Sequence, residues 1–550
     1  MNKYLLIIGI LFASLFSQTD DIPYDWSGQY GVITNNGRLM WNQDWTLGLL
    51  LIDGTFANYP TRFGPSYKNN FGLYNAGDYY QGLHSFPDSS HIKSRINYYR
   101  GDFSYDQLEI DAEFAEKNRV ISLNGFKRTY KGPYGQYTDP QGSNNPLQQS
   151  YRIDYSSRDK DELLDISVGY FLTDSRLNLG DPADFIHKEK IVSAGIGFSK
   201  DFTTWQYKVH GAFFQQYYSM DFDSVKAYLN RFHLNQFISK KIKNSDLLKF
   251  GIELDNQGLS LVDTTKKDRL WSTIYGGWEK QSLGIKFGTT IAQNEIISYL
   301  NVRAHSIEDS KISWQSYLKY EAIPKHLFLW KKTDENIFEQ WIVSQSEVQL
   351  NWKNIPVNIS IDYFYNKNNH LVHRYYNNND ELIEISNHLL SSTFSTHLSI
   401  IRDWNIDISY RHTFKHNIYS DGIGDKAQLG LIVTENLFKN NLHVKLHLWG
   451  DAYLNHNQNL GYEGFHYGPY ITDDTNLALP DYWVFNLELS AKVSKMTIKW
   501  KVNNILQTAE SVTNQIFPNL DENYLLITNS NNFPPMTRFV TFNIIWDFDN

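Results

Sequence analysis

The chain of 550 residues contains no cysteine. This absence excludes disulfide bonds, thiolate metal ligands and a lipid-anchored cysteine at the N-terminus. Beyond the first residues there is also no run of about 18 apolar residues, so the sequence predicts no transmembrane helix. The net charge of −9 at pH 7 gives no reason to expect nucleic acid as a partner.

The first residues, MNKYLLIIGILFASLFSQ, combine a lysine with a short apolar run and a small, polar end. The apolar run is too short to span a bilayer, and the pattern is typical of a secretory signal peptide. We therefore expect residues 1–18 to be cleaved on export, and a bacterial source is the simplest interpretation.

Aromatic residues are abundant although the mean hydropathy is low. They make up 15% of the chain, with 37 tyrosines and 15 tryptophans, while the mean hydropathy is −0.47. In a membrane β-barrel, lipid-facing residues alternate with wet lumen-facing ones, and Tyr and Trp collect at the two interfaces. The composition therefore favours an all-β, transmembrane outer-membrane barrel.

Strand-length stretches with a period of two support this interpretation. The last of them has one apolar face, formed by Val540, Phe542, Ile544, Trp546 and Phe548. Stretches such as YWVFNLELSAKV and MTIKWKVNN alternate in the same way and carry charges on their polar face. The charges that we expect to line a lumen are Lys499, Lys501, Glu488, Asp407, Arg411 and Lys445. Their mixed sign predicts weak ion selectivity.

The connections between these stretches alternate in length. Tight turns are expected at 116–119, 353–356, 402–403, 438–441 and 493–496, and long polar loops at 131–147, 321–342, 366–386, 455–480 and 507–536. Short periplasmic turns and long extracellular loops are typical of outer-membrane barrels. We count about 22 antiparallel strands from Ile92 onwards, or about 20 if INYYR and LEIDAEF are not barrel strands. The predicted domains are a signal peptide (1–18), an N-terminal segment (19–90) and the barrel (91–550).

From about residue 335 onwards, the order of segments resembles the barrel of TonB-dependent outer-membrane receptors. The stretch ENIFEQWIVSQSEVQLNWKNIPVNISIDYFYNKNNHLV resembles a hairpin of that family, and YWVFNLELSAKVSKMTIKWKVNNIL resembles its penultimate hairpin. TRFVTFNIIWDF resembles the closing strand, which in the family begins after an arginine, here Arg538. The resemblance implies that the last strand closes the barrel against the first. It also implies that this strand, ending in Phe548, is the signal read by the barrel-assembly machinery.

The N-terminal part is shorter than in that family, whose members carry a plug domain inside the barrel. Only the segment 19–90 precedes the first expected strand, so the resemblance implies a plug that is reduced or absent. Two fragments resemble parts of a vestigial plug: LLIDG at 50–54 resembles its Ile-Asp-Gly turn, and RINYYRGD at 95–102 resembles one of its strands. The residues TDDIPYDWSGQY do not resemble the family's box for the energising protein.

Residues suited to metal binding or catalysis are dispersed. His412 and His416 share a strand face, as do His443 and His447, but four strand residues span roughly 13 Å, too far for one metal ion. We interpret these histidines as polar residues facing the lumen. No serine motif has recognisable triad partners, so we expect neither an enzyme nor a cofactor or metal.

Two predicted loops, GYEGFHYGPY and YKGPYGQY, are rich in glycine and aromatic residues. Their rings could stack on a sugar or another flat ligand, or could pack against one another to stiffen the loops. The candidate ligand contacts are Tyr462, Phe465, Tyr467, Tyr470, Tyr134 and Tyr137.

These patterns predict a multi-pass barrel that passes solutes across the bacterial outer membrane, and the reduced plug favours porin-like diffusion. One alternative is a TonB-dependent receptor with a shortened plug. Another is a platform for a surface or secretion complex, with a lipoprotein as partner. The other expected partners are outer-membrane lipid, lipopolysaccharide, the barrel-assembly machinery and a solute whose identity the sequence does not specify.

Overall fold

The structure is a computed structural model of the full chain. It describes residues 32–35, 38–41, 86, 89–129, 131, 135, 137–139, 144, 147–177, 185–220, 225–242, 246–261, 266–280, 282–292, 295–306, 312–324, 338–352, 355–374, 380–401, 403–415, 423–456, 460–463, 468–472, 481–507, 510 and 538–549.

Nearly all of these residues lie in strands, apart from the turns and a short helical stretch at 505–507. In chain order the strands are β1 (Val32–Asn35), β2 (Arg38–Trp41), β3 (His91–Gly101), β4 (Asp106–Glu116), β5 (Arg119–Thr129), β6 (Tyr137–Thr138), β7 (Leu147–Asp159), β8 (Glu162–Leu177), β9 (Phe185–Asp201), β10 (Trp205–Met220), β11 (Val225–Lys241), β12 (Leu247–Leu261), β13 (Lys266–Lys280), β14 (Leu283–Ala292), β15 (Ile296–His305), β16 (Ile312–Pro324), β17 (Phe338–Trp352), β18 (Ile355–Arg374), β19 (Asp380–Ile401), β20 (Trp404–Lys415), β21 (Ile423–Leu437), β22 (Leu442–His456), β23 (Leu460–Glu463), β24 (Gly468–Thr472), β25 (Tyr482–Val493), β26 (Met496–Asn503) and β27 (Phe539–Asp549).

Twenty-two of these strands form one closed antiparallel barrel. Closure is made by β27, which pairs with β3 from Thr541 opposite Gly101 to Asp549 opposite Lys93. The predicted fold class, the higher strand count and the closing role of the last strand are thereby confirmed. Closure matters physically because an open sheet edge would leave backbone groups unsatisfied in lipid.

Some of the shorter strands are not counted among the 22: β1 and β2 are separate from the barrel sheet, whereas β23 and β24 are attached to it. β1 and β2 form a two-stranded sheet, β23 and β24 form a hairpin, and β24 also pairs with β18 in parallel. Among the described residues, no helix has the length and apolar character that a membrane crossing needs.

The two faces of the barrel have opposite character. On β27, Phe542 and Trp546 are exposed on the outside, while Thr541 and Asn543, the two neighbours of Phe542, are buried inside. Other strands repeat the pattern, with exposed Ile, Leu, Phe and Trp outside and buried charged or polar residues inside. This is the reverse of a soluble protein and matches a wall with lipid on one side and a polar interior on the other.

The tight turns fall where the sequence predicts them. β4 and β5 are joined at 117–118, β21 and β22 at 438–441, and β25 and β26 at 494–495. Ser494 has a φ of 52° and Asn440 one of 69°, the positive values that tight hairpin turns between twisted strands use.

Two sequence expectations are wrong. The predicted loop 366–386 is mostly strand, because β18 continues to Arg374 and β19 already begins at Asp380. RINYYRGD is not a plug relic, because most of it belongs to β3, which pairs on one side with β4 and on the other with β27. The other proposed relic, LLIDG, lies outside the described residues.

Candidate functional site

The charged side chains of β25 and β26 lie on the inner face of the barrel. Trp500 is exposed on the outside, so its neighbours Lys499 and Lys501 point inwards. Glu488 on β25 is in register with Lys501, and its Oε1 atom lies 3.9 Å from the Nζ atom of Lys499. Both partners of this ion pair are partly exposed, so it adds little to stability and a solute could exchange with either partner.

A cavity of about 200 Å³ opens beside these charges, at the seam where the last strands of the barrel meet the first. We call it the seam cavity. Its lining combines cationic, anionic, amide, hydroxyl and phenol groups, contributed by Asn97, Tyr99, Tyr105, Gln107, Arg128, Glu488, Lys499, Lys501, Thr541 and Asn543. Three of these residues are cationic and one is anionic. The cavity can therefore offer several hydrogen bonds and a net positive charge to a polar solute.

An aromatic side chain joins this cluster from β22. Trp449 stacks on the imidazole of His447, with ring centroids 4.4 Å apart and an interplanar angle of 22°. The Nζ atom of Lys501 lies 5.6 Å from the centroid of the same indole, within the range of a cation–π contact. Trp449 continues the inner face of LHVKLHL, so the interior presents a flat aromatic surface beside the charges.

The other predicted lumen charges also lie on inward strand faces. Asp407 and Arg411 occupy the face of β20 opposite the exposed Tyr410, and the Nδ1 atom of His397 hydrogen-bonds to the carboxylate of Asp407. Lys445 lies on β22 opposite Ser490 of β25. Together with the β25–β26 cluster they make a belt of mixed sign across five adjacent strands of the wall, β20, β21, β22, β25 and β26.

One histidine expectation is wrong. His412 was expected to face the lumen, but it lies on the outer face of β20, between the exposed Tyr410 and Phe414. There its Nδ1 atom is 2.6 Å from the carboxylate of Asp425, which also accepts a 2.8 Å hydrogen bond from the hydroxyl of Tyr410. The period of two assigns position 412 to the outer face, because the same face carries Tyr410.

The aromatic loop candidates are placed only in part. Tyr462 belongs to β23 and Tyr470 to β24, which pair as a hairpin, and Tyr137 belongs to β6. Their side chains are not described, and Tyr134, Phe465 and Tyr467 lie outside the described residues. Their role as ligand contacts therefore stays a prediction.

A second polar cluster lies on the inner wall of β11 and β12. His233 is in register with Asp255, and its Nδ1 atom is 3.1 Å from the Oδ2 atom of Asp255 and 3.7 Å from the Oε1 atom of Glu253. His233 and Asp255 are 1% and 0% exposed. Sequence patterns do not reveal this cluster, because its residues are brought together by inter-strand register and not by spacing along the chain.

The architecture defines the class of protein. A closed barrel with an apolar exterior and a polar, charged interior is an integral outer-membrane β-barrel, since in lipid only helices and closed barrels satisfy every backbone group. Neither the known family models nor the curated protein sequences give a match to this chain.

Solved structures match the fold over most of the chain. The copper transporter OprC has a TM-score of 0.62 and 11% identity, over 86% of this chain and 82% of its own. The ferric enterobactin receptor PfeA of Pseudomonas aeruginosa has a TM-score of 0.62 and 7% identity, over 84% and 81%. The FrpB iron transporter of Neisseria meningitidis has a TM-score of 0.61 and 10% identity, over 83% and 81%. The chain therefore has the barrel fold of TonB-dependent outer-membrane receptors.

Proposed function

We propose that this protein is an outer-membrane transporter of the receptor type, which carries a polar solute through its barrel and is closed at rest. The observation that carries the proposal is the likeness of the whole barrel to transporters and receptors, over more than four-fifths of the chain. This likeness favours the shortened-plug receptor over the porin-like diffusion that the sequence suggested. The solved relatives are transporters and receptors, which also favours transport over catalysis.

The inner wall supplies the proposed solute contacts. Lys499, Lys501 and Glu488 line the cavity at the barrel seam, and Trp449 lies beside Lys501. Such groups can replace the hydration partners of a charged or hydroxyl-bearing solute, while an indole face can stack on a sugar or another flat ligand. The solute would then pass by binding weakly at several places on the wall, and no covalent bond would be made or broken.

The N-terminal segment 19–90 is the proposed closing element. Most of it lies outside the described residues, but two contacts of its described parts support this role. Phe86 lies under the guanidinium of Arg158, 4.8 Å from its Cζ atom. Arg158 shares the face of β7 that carries the buried Asp154 and Ser156, which is the inner face. In addition, β2 lies against β7, β8 and β9.

Single-channel conductance in a planar bilayer tests the proposal. The mature full-length protein is compared with a variant that lacks residues 22–90. We expect the full-length protein to be closed and the variant to show a large steady conductance with weak ion selectivity, because the belt charges have mixed sign. A large steady conductance in the full-length protein would instead establish an open pore and end the receptor proposal.

Further partners follow from this proposal. The exposed apolar face would contact outer-membrane lipid and lipopolysaccharide, and the last strand would be read by the barrel-assembly machinery. An energising protein would have to act on segment 19–90 from the periplasm. Co-purification of a stoichiometric lipoprotein would instead favour a platform for a surface complex.

A further inference from the structure

The His233–Glu253–Asp255 cluster lies on the inner wall, well away from the seam cavity. β11 and β12 are separated from the seam by several strands on either side, so the cluster shares no residue with the cavity. Its side chains come from the middle of two long paired strands, which hold their backbone positions through a continuous ladder. The donor atoms of all three residues lie within 4.8 Å of one another.

The distances within the cluster match the spacing of ligands around a small metal ion. Two ligand atoms at roughly 2.0–2.1 Å from zinc and at a tetrahedral angle are separated by roughly 3.3–3.4 Å. The two separations of the His233 Nδ1 atom, 3.1 Å to Asp255 and 3.7 Å to Glu253, lie on either side of that value. The ligand atoms of all three residues lie within 4.8 Å of one another, so small side-chain shifts would bring them to the distances of one ion.

The chemistry of the donors indicates which ion would bind. One imidazole nitrogen with two carboxylate oxygens suits divalent first-row transition metals, which accept imidazole readily, whereas Mg²⁺ and Ca²⁺ prefer sites made only of oxygen. A divalent cation would also balance two carboxylates that are buried or nearly so, since Glu253 is only 13% exposed. Three protein ligands leave a coordination position for water or another group.

We propose that His233, Glu253 and Asp255 form a binding site for one divalent first-row transition-metal ion on the inner wall of the barrel. The site goes beyond the proposed transport function and does not depend on it, because binding can be measured on a closed barrel. The competing explanation is an ion pair in which a protonated His233 bridges the two carboxylates without a metal.

Zinc titration by calorimetry separates these explanations. The full-length protein, purified in detergent and stripped of metal, is titrated with Zn²⁺ alone. We expect one saturable equivalent, and at least ten-fold weaker binding in His233→Gln and in Asp255→Asn, since even outer-shell changes at metal sites cost ten- to a hundred-fold. Absence of a saturable equivalent in the unchanged protein would overturn the proposal.

Asp154→Asn is the matched control. Asp154 is also a buried inner-wall carboxylate, 3% exposed, but it accepts a 2.5 Å hydrogen bond from Ser167 and belongs to another pair of strands. We expect this variant to bind Zn²⁺ as the unchanged protein does. An equal loss of binding in Asp154→Asn would place the zinc elsewhere and would also overturn the proposal.

A crystal soaked in Zn²⁺ keeps the test independent of how well the variants fold. We expect an anomalous peak about 2.0–2.2 Å from the Nδ1 atom of His233 and from one oxygen of each carboxylate. An anomalous map with zinc only at other residues would contradict the assignment. A failure of the conductance experiment would leave this result unaffected, so the two proposals can fail separately.

Discussion

Asn543 donates a 2.6 Å hydrogen bond from its Nδ2 atom to the Oδ1 atom of Asn97, 446 residues earlier in the chain. The bond crosses the seam where β27 meets β3, on the inner face of the barrel. A second link lies at the end of the seam, where the carboxylate of Asp102 accepts a 3.0 Å hydrogen bond from the backbone N–H of Val540. Side chains as well as the backbone ladder therefore hold the barrel closed.

The seam gives a prediction about stability. Asp102→Ala removes the acceptor for Val540 N–H and the carboxylate that lies 3.7 Å from the Nε atom of Arg538. We expect a loss of about 1–2 kcal/mol in the free energy of unfolding, measured by urea titration in detergent, since the carboxylate is partly exposed. Asp102→Asn keeps an acceptor and should lose less than half as much. Equal losses in the two variants would rule out this hydrogen bond as the cause.

The closing strand gives a prediction about assembly. We expect Phe548→Ala to lower the amount of folded, heat-modifiable protein in the outer membrane several-fold, because Phe548 stands where the terminal aromatic of the assembly signal is expected. Phe287→Ala is the control, since Phe287 is also exposed on the outer face but belongs to β14. If both variants assemble alike, Phe548 is only a lipid-facing residue.

The assignment of faces gives a prediction about charge. Ile361 on β18 is 52% exposed on the outer face, whereas its neighbour Ser360 points inwards and is in register with Glu347. An arginine facing the middle of the bilayer costs about 2–4 kcal/mol, while an inward arginine meets polar surroundings. We therefore expect Ile361→Arg to destabilise the protein in lipid vesicles by that amount and Ser360→Arg to be nearly neutral. The opposite order would mean that the faces are reversed.

Much of the wall could be predicted from the sequence because its signal is local. In MTIKWKVNN the alternation alone assigns Trp500 to the lipid and Lys499 and Lys501 to the interior, and β26 follows that assignment. The tight turn before it could be predicted for the same reason, since a strand break and a polar dipeptide stand side by side in the chain. The closing strand could be identified from its position and its aromatic residues.

The features that the sequence missed depend on how strands pair. Strand β18 continues to Arg374 and β19 begins at Asp380. In NKNNHLVHR and DELIEI, the parts of the predicted loop that these strands occupy, the alternation fades and the asparagines suggest a loop. The contact of His233 with Asp255 depends on a register between strands, which residue types alone do not specify. The contact of Trp449 on β22 with Lys501 on β26 depends in the same way on which strands are neighbours in the barrel.

The most direct test of the transport account uses the absence of cysteine from the natural chain. Glu488 lines the seam cavity and its neighbour Leu489 is exposed on the outer face, so Glu488→Cys and Leu489→Cys differ only in the side of the wall that they sample. Both variants, with and without residues 22–90, are treated with a membrane-impermeant maleimide, first in intact cells and then in opened cells, where the reagent reaches the periplasmic side.

We expect Glu488→Cys to react with the maleimide and Leu489→Cys to be protected by lipid. Removal of residues 22–90 should speed the reaction of Glu488→Cys when the reagent is added from the periplasmic side of opened cells. Labelling of Leu489→Cys in place of Glu488→Cys, or labelling that is unchanged by the deletion, would contradict a polar passage closed by the N-terminal segment.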